Sequence, residues 1–479
     1  MLLRLYPSAD RRGLRTRAGI NASGMGRVMR RIIWVMALAS AAWAQTVEGN
    51  WQGTLDVGAM KLRLGLHVSK TDAGWKSTFD SIDQGANGIP VAKTTVDGAA
   101  LHFEMPGMGV SYDGKLSADG REIAGTFTQG APFPLTFKRV DKVEEVKRPQ
   151  TPKAPFPYDA IDVTYQNKLG KLAGTLTVPR GAGPFPVAIL ITGSGPQNRD
   201  EELFGHKPFW VIADYLSRRG IAVLRLDDRG VGGSAGKSSQ ETLDDMVTDV
   251  LSGVDFLKAR KEIDGREIGL IGHSEGGIVA PLAASKSGDV AFVVMLAGTG
   301  VTGEQVMYKQ AELINKSAGT PEAAIAYNRA LQEAIFNAVR GSADEATALE
   351  TFRAAWKKEH GSDPGSALEN EVKKMMSPEM RSFTFFDPAE ALGKVKCPVL
   401  ALNGSRDIQV PPSQNLPAIK AALQAGGNKD FQTVEIPGLN HLFQNCQKCT
   451  VGEYGTLEET FSAEALDMMG NWISRHTAR

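Results

Sequence analysis

Three cysteines in 479 residues are too few to staple a fold, so the chain must be held by an apolar core rather than a disulfide framework. An excess of either charge is missing too: Lys and Arg number 54, and Asp and Glu number 54. A balanced chain has no global pull toward nucleic acid or an anionic membrane, and neither partner is expected. No apolar run approaches the ~20 residues that a membrane-spanning helix needs, so stable insertion in a bilayer is not expected either. Against these absences stand 42% hydrophobic residues, enough for a sizeable core, and a length above that of one average domain.

The cysteines exclude some chemistry as well. Cys397 opens an apolar strand and reads as an inert core thiol. Cys446 and Cys449 form a C-x-x-C with no second Cys/His pair at metal spacing, so neither a metal nor a cofactor is expected. The motif does not open a helix of a thioredoxin-like unit. It reads as a short local disulfide or as free thiols.

At the N-terminus, Arg27, Arg30 and Arg31 precede an apolar stretch at 32–42, which ends in Ala42-Trp43-Ala44 before Gln45. A basic region, an apolar block and a small-x-small end describe a secretory signal peptide over 1–44. The mature chain then begins near Gln45, and export to the periplasm or the medium is expected. Met25 or Met29 is a more natural start than Met1, which would leave 1–24 untranslated. A mitochondrial transit peptide is the other reading; it fits less well because the apolar block is continuous rather than amphipathic. With no Cys after that block, no lipid anchor is expected.

Residues 46–140 read as a small all-β barrel or sandwich. The segment 62–68 alternates with period two, and 101–103, 123–127 and 135–137 resemble it. Turn pairs such as Asp97-Gly98, Asp113-Gly114 and Asp119-Gly120 punctuate them. No catalytic constellation appears there; Trp51, Trp75 and Phe79 read as core, with a ligand site as the less favoured alternative. A charged, Pro-rich linker follows at 141–157. Beyond it, uniformly apolar runs at 186–191, 221–226, 267–272, 291–296, 399–402 and 431–436 alternate with helical patterns such as 242–258, where Thr242 and Asp245 suit an N-terminal cap. That alternation predicts a mostly parallel sheet covered by helices on both faces. Residues 303–380 carry helical signals alone, with Tyr327, Leu331, Ile335 and Val339 assigned to one face and Phe352 and Trp356 to another. They read as a helical cap, or as ordinary packing helices.

Gly272-His273-Ser274-Glu275-Gly276 is a G-x-S-x-G placed after a strand and before an apolar helical run. A serine on such a turn projects from the sheet, and the helix behind it favours developing negative charge. Its hydroxyl needs a base. Of seven histidines, His67 and His102 lie in the β region, His206 near the start of the sheet, His273 beside the serine and pointing away, His360 in the helical insertion and His476 near the C-terminus. His441, in Gly438-Leu439-Asn440-His441 after the last strand, is the candidate base. Asp407, in Gly404-Ser405-Arg406-Asp407 after the preceding strand, would orient the imidazole. The oxyanion donors are expected to be the N–H groups of Glu275 and of the 192–197 loop. Pro196 has none, which leaves Ser194 or Gly195, with Ser194 preferred. Two decoys fail: Gly195-Pro196 lacks the third glycine of a dinucleotide fingerprint, and Val231 stands where a P-loop running to Ser238 needs glycine. Asp228 and Arg229 read as a structural turn.

Residues 158–479 resemble the α/β-hydrolase superfamily, in particular bacterial esterases and the serine aminopeptidase-like branch. The resemblance rests on Ile191-Thr192-Gly193-Ser194-Gly195-Pro196, on Asp227-Asp228-Arg229-Gly230-Val231-Gly232-Gly233-Ser234, and on the serine, Asp407 and His441 loops. The oxyanion loop departs from the superfamily's usual His-Gly start. The resemblance implies an α/β-hydrolase fold with a cap after the sixth strand at 303–380, and a serine hydrolase acting on a small ester or short peptide. Amine recognition by a peptidase would need an acid near Ser274, such as Glu275, Glu304 or Glu312. From another class altogether, the β region would be a binding module and the hydrolase fold inactive, a reading the intact Ser, Asp and His disfavour.

Overall fold

A computed structural model describes residues 46–57 and 61–477; the expected signal peptide lies outside the described residues. The N-terminal unit is one antiparallel sheet of nine strands: β1 (Gly49–Asp56), β2 (Lys61–Thr71), β3 (Gly74–Ser81), β4 (Ala86–Pro90), β5 (Lys93–Asp97), β6 (Ala100–Met105), β7 (Val110–Leu116), β8 (Glu122–Gln129) and β9 (Ala131–Val140). Their order is β4-β3-β2-β1-β9-β8-β7-β6-β5. Strand β6 shows why the chain folds this way: Leu101, Phe103 and Met105 point inward while His102 and Glu104 turn outward. The sheet curls until its far edges meet, with Thr94 Oγ1 donating to Ser77 Oγ at 3.0 Å and Val91 N–H to the Ser77 carbonyl at 3.2 Å. Trp51, Phe79, Phe103 and Tyr112 fill the interior, so Trp51 and Phe79 are core; Trp75 packs against them from the side.

Residues 141–157 form neither helix nor strand. The second sheet has eight strands: β10 (Tyr158–Asn167), β11 (Gly170–Pro179), β12 (Phe185–Ile191), β13 (Ala222–Leu226), β14 (Ile263–His273), β15 (Phe292–Leu296), β16 (Val399–Gly404) and β17 (Phe431–Ile436). Their order is β10-β11-β13-β12-β14-β15-β16-β17, antiparallel at β10–β11–β13 and parallel from there on. The six apolar runs expected from sequence are strands, but β10 and β11 escaped that reading. β10 is an edge strand that exposes Asp159, Ala160, Ile161 and Asp162 in succession, so it shows neither a continuous apolar run nor a clean alternation.

Helices α1 (Pro208–Ser217), α2 (Leu243–Lys258) and α3 (Gly276–Lys286) connect the first parallel strands. Thr242 and Asp245 cap α2 reciprocally, as their spacing predicts. Next come α4 (Gly303–Ser317), α5 (Glu322–Arg340), α6 (Glu345–His360), α7 (Ser366–Met375), α8 (Pro378–Phe385) and α9 (Pro388–Leu392), then α10 (Pro412–Ala425) and α11 (Ala463–Thr477). Residues of α2, α3, α9 and α10 cover one face of the sheet, and those of α1 and α11 the other.

The insertion is helical through Phe385 rather than ending at 380, and it owns a separate core around Phe336, Val339, Phe352 and Val372. Tyr327 does not share the packing face of Val339; it is 52% exposed. Steps of four residues drift by about 40° each on a 3.6-residue helix, and three such steps carry Tyr327 out of the interface.

Phe352 is fully buried, with its ring tilted against that of Trp356 at 5.9 Å between centroids. Phe352→Ala is expected to cost about 3–5 kcal/mol in the stability of the insertion, read as a lowered denaturant midpoint.

Candidate active site

Strand β14 delivers Ser274 to the C-terminal edge of the sheet, and α3 begins two residues later. Ser274 has φ 54°, a left-handed backbone that side chains other than glycine avoid. Its N–H donates to the Leu296 carbonyl on β15 at 2.8 Å, and its own carbonyl accepts from Gly277 at 2.9 Å. The motif glycines are required by space: a Cβ on Gly272 would stand 1.9 Å from the Gly276 carbonyl oxygen, and one on Gly276 would stand 2.2 Å from that of Ile191.

Asp407 and His441 come from the loops after β16 and β17. Asp407 Oδ2 meets His441 Nδ1 at 2.8 Å and accepts from Asn403 Nδ2 at 3.0 Å. Its Oδ1 accepts from the N–H groups of Gln409 and Val410, each at 2.8 Å. A buried carboxylate held by four donors presents one fixed face to the imidazole. Asn440 fixes the histidine loop: its Oδ1 accepts from the N–H groups of Leu442 and Gln444, both at 3.0 Å. Among the described residues, His441 Nε2 has no hydrogen-bond partner, and Ser274 Oγ does not bond to it. Such bonds are often loose before substrate binds and tighten in the complex.

Four other histidines also meet carboxylates: His67 with Asp80, His102 with Asp113 and Glu104, His273 with Glu201, and His476 with Asp430. The first two lie in the N-terminal barrel. His273, expected to point away, is buried with its ring centroid 4.9 Å from that of His441. Its Nδ1 meets Glu201 Oε1 at 2.9 Å and its Nε2 donates to the His441 carbonyl at 3.0 Å. The loops bearing Ser274 and His441 are therefore joined through the residue before the serine. His206 is buried, with Nδ1 2.9 Å from Thr460 Oγ1. Burial and Arg148 depress it to about 4, so it stays neutral.

The 192–197 loop is pinned at three points. Asp228 takes the Thr192 hydroxyl at 2.7 Å and the Gln197 N–H at 2.8 Å, and Glu201 takes the Gly193 N–H at 2.7 Å. Ser194 and Gly195 keep their N–H groups unspent among the described residues, as does Glu275. Gly193 lies against the serine, since a Cβ there would stand 3.3 Å from Ser274 Cβ. Asp228 thus does more than shape a turn. Burial pushes its carboxyl up to about 7 despite those bonds.

Glu275 is buried, and its Oε2 has no hydrogen-bond partner among the described residues. Burial, then Glu379 on α8 and Asp228, push it up to about 8. Glu304 bonds to the Tyr308 hydroxyl and pairs with Arg340, and Glu312 pairs with Lys309 and Lys316. Glu201 and Asp228 were missed as site residues by sequence reasoning; nothing in local spacing links 201 to 193 or 273.

An eight-stranded sheet of this order, with a left-handed serine between a central strand and the helix after it, is one architecture: the second domain has the α/β-hydrolase fold. Within it, residues 209–359 match the family model described as serine aminopeptidase, S33, a stretch that holds Ser274 and stops before Asp407 and His441. The chain is 32% identical over 203 residues to the esterase EstD of Thermotoga maritima, spanning 42% of this chain and 47% of that protein, or about half the relative's length. It is 24% identical over 314 residues to an uncharacterized 31.7 kDa protein of Escherichia coli, covering 64% of this chain and 96% of the relative. Among solved structures, the Pyrococcus furiosus esterase Pf2001 aligns with TM-score 0.42 at 17% identity, over 70% of this chain and 99% of its own.

Two outcomes follow. Asp407→Asn removes the charge that fixes the His441 tautomer and is expected to lower turnover about 10⁴-fold, read as kcat on a soluble ester. Glu275 lies well above its ordinary 4.5 when folded, so the folded state binds an extra proton between about pH 4.5 and pH 8 and stability falls as pH rises through that window. Glu275→Gln is expected to flatten that part of the melting-temperature profile while kcat stays within about threefold, because the proposed oxyanion donor is the backbone N–H.

Proposed function

We propose that this protein is a serine hydrolase of carboxylic esters that works through an acyl-enzyme. Ser274 Oγ attacks the ester carbonyl carbon while His441 Nε2 takes the hydroxyl proton. Asp407 at Nδ1 holds the imidazolium, and the carbonyl oxygen carries its negative charge to the N–H groups of Glu275 and Ser194. Collapse breaks the bond to the leaving oxygen, which takes the proton from His441. Water then gives a proton to His441 and attacks the acyl carbon, releasing the acid and restoring Ser274. The observation that carries this reading is the Asp407–His441 pair at 2.8 Å on a loop that the residue before Ser274 bonds at 3.0 Å.

An amine-recognising peptidase is less well supported. Glu304 and Glu312 have their own partners, and Glu275, held up to about 8, is mostly uncharged at neutral pH. The binding-module reading loses ground because aromatic side chains fill the barrel interior. Export is proposed on the N-terminal signal pattern, and the Cys446–Cys449 disulfide suits an oxidising compartment.

Hydrolysis of p-nitrophenyl acetate or butyrate is expected, with Ser274→Ala losing at least about 10⁴ in turnover. Undiminished activity in that variant would remove the assignment. Faster cleavage of aminoacyl amides than of esters would replace it with the peptidase reading.

A further inference from the structure

Glu201 has no part in the acyl-transfer steps above, yet it is buried and holds a left-handed backbone at φ 49°. Such a conformation costs about 1–3 kcal/mol in a non-glycine residue and persists only where its surroundings impose it. Its Oε1 takes the Gly193 N–H at 2.7 Å and meets His273 Nδ1 at 2.9 Å. The other nitrogen of that ring faces the His441 carbonyl at 3.0 Å. A carboxylate and a carbonyl are both acceptors, so His273 satisfies the two contacts only as an imidazolium. Burial opposes that charge, but Glu201 and the carbonyl outweigh it and raise the group above its usual range. One buried ion pair therefore touches the oxyanion loop on one side and the backbone of the proposed base on the other.

The loop that bears Glu201 is held from outside the hydrolase domain. Arg148, in the linker, donates to the carbonyls of Phe204 and Leu457, each at 2.7 Å, and of Gly455 at 2.8 Å. Phe204 and Gly205 are left-handed as well. The turn after β3 packs onto the same place: a Cβ on Gly85 would stand 2.5 Å from the Gly205 nitrogen, and one on Gly455 would stand 2.0 Å from the Asp83 carbonyl oxygen. Barrel, linker and Glu201 loop meet with no space between them. Arg148 is lowered only to about 10 by this burial and stays charged at neutral pH.

We propose that Glu201 and His273 are positioning residues that set the oxyanion loop and His441 together, and that Arg148 anchors them, which makes the N-terminal barrel and linker part of the catalytic unit. The proposal rests on the reading of Ser274 and His441 given above. It differs from a general stabilising role because the three side chains act in series on one geometry, so their losses must not multiply.

The test uses the full chain, with ester turnover and the rate at which a fluorophosphonate labels Ser274. Glu201→Ala is expected to lower kcat about 10²-fold, the scale of a lost oxyanion donor, with KM changed less than about threefold and labelling slowed in parallel. Glu201→Gln keeps an acceptor for Gly193 and should lose about tenfold. Arg148→Ala should lose about tenfold, Arg148→Lys less, and the double variant Arg148→Ala/Glu201→Ala no more than Glu201→Ala alone. Should Glu201→Ala fail to fold, the same comparison is made with Glu201→Gln. Undiminished kcat and labelling in the Glu201 variants, or losses that multiply in the double variant, overturn the proposal while Ser274 stands. A parent protein that is neither active on esters nor labelled at Ser274 overturns the reading beneath it instead.

Discussion

Ser274 stands clear of the parallel sheet because its backbone is forced, at φ 54°, through a turn that L-residues avoid. The strain, about 1–3 kcal/mol for a non-glycine residue, is offset by a bond from its N–H to Leu296 and by the close crossing of α3 over β12. The packing there tolerates no Cβ at Gly272 or Gly276. The 192–197 loop, the Asp407 turn and the His441 loop are all arranged around this fixed point. Each is fastened by its own buried side chains: Asp228 and Glu201 accept in the first, Asn403 donates in the second and Asn440 accepts in the third.

Three carboxyls near one serine meet different fates. Asp407 is surrounded by donors and faces the imidazole. Glu275 has an oxygen with no donor among the described residues, and its burial favours the protonated form. Asp228 lies between, with two donors and a proton affinity near neutrality. An ionised Glu275 would oppose the negative charge that its own N–H is proposed to hold. Burial removes that conflict by keeping the side chain neutral.

Much of this was legible in the chain. The serine turn announces itself because strand, glycine spacing and helix are contiguous, and the six apolar strands do so because both of their faces are buried. Asp407 and His441 were found by their positions after strands, which follow from the parallel topology. What escaped has a common cause. β10 is an exposed edge, Tyr327 drifted off its face with the helical period, and Glu201 and Arg148 act across long sequence distances. Each is set by what packs against it rather than by its neighbours in sequence.

By itself, then, the sequence determined the α/β-hydrolase fold, its helical insertion, the barrel before it and three candidate reacting groups, because local periodicity and turn chemistry encode strands, helices and the residues at their ends. Only the tertiary structure decided that His273 bridges two loops, that Glu275 Oε2 lacks a donor among the described residues, and that Arg148 of the linker holds the loop that bears Glu201. Those facts depend on burial and on partners brought together by folding, and no spacing along the chain specifies which buried acceptor a distant donor will meet.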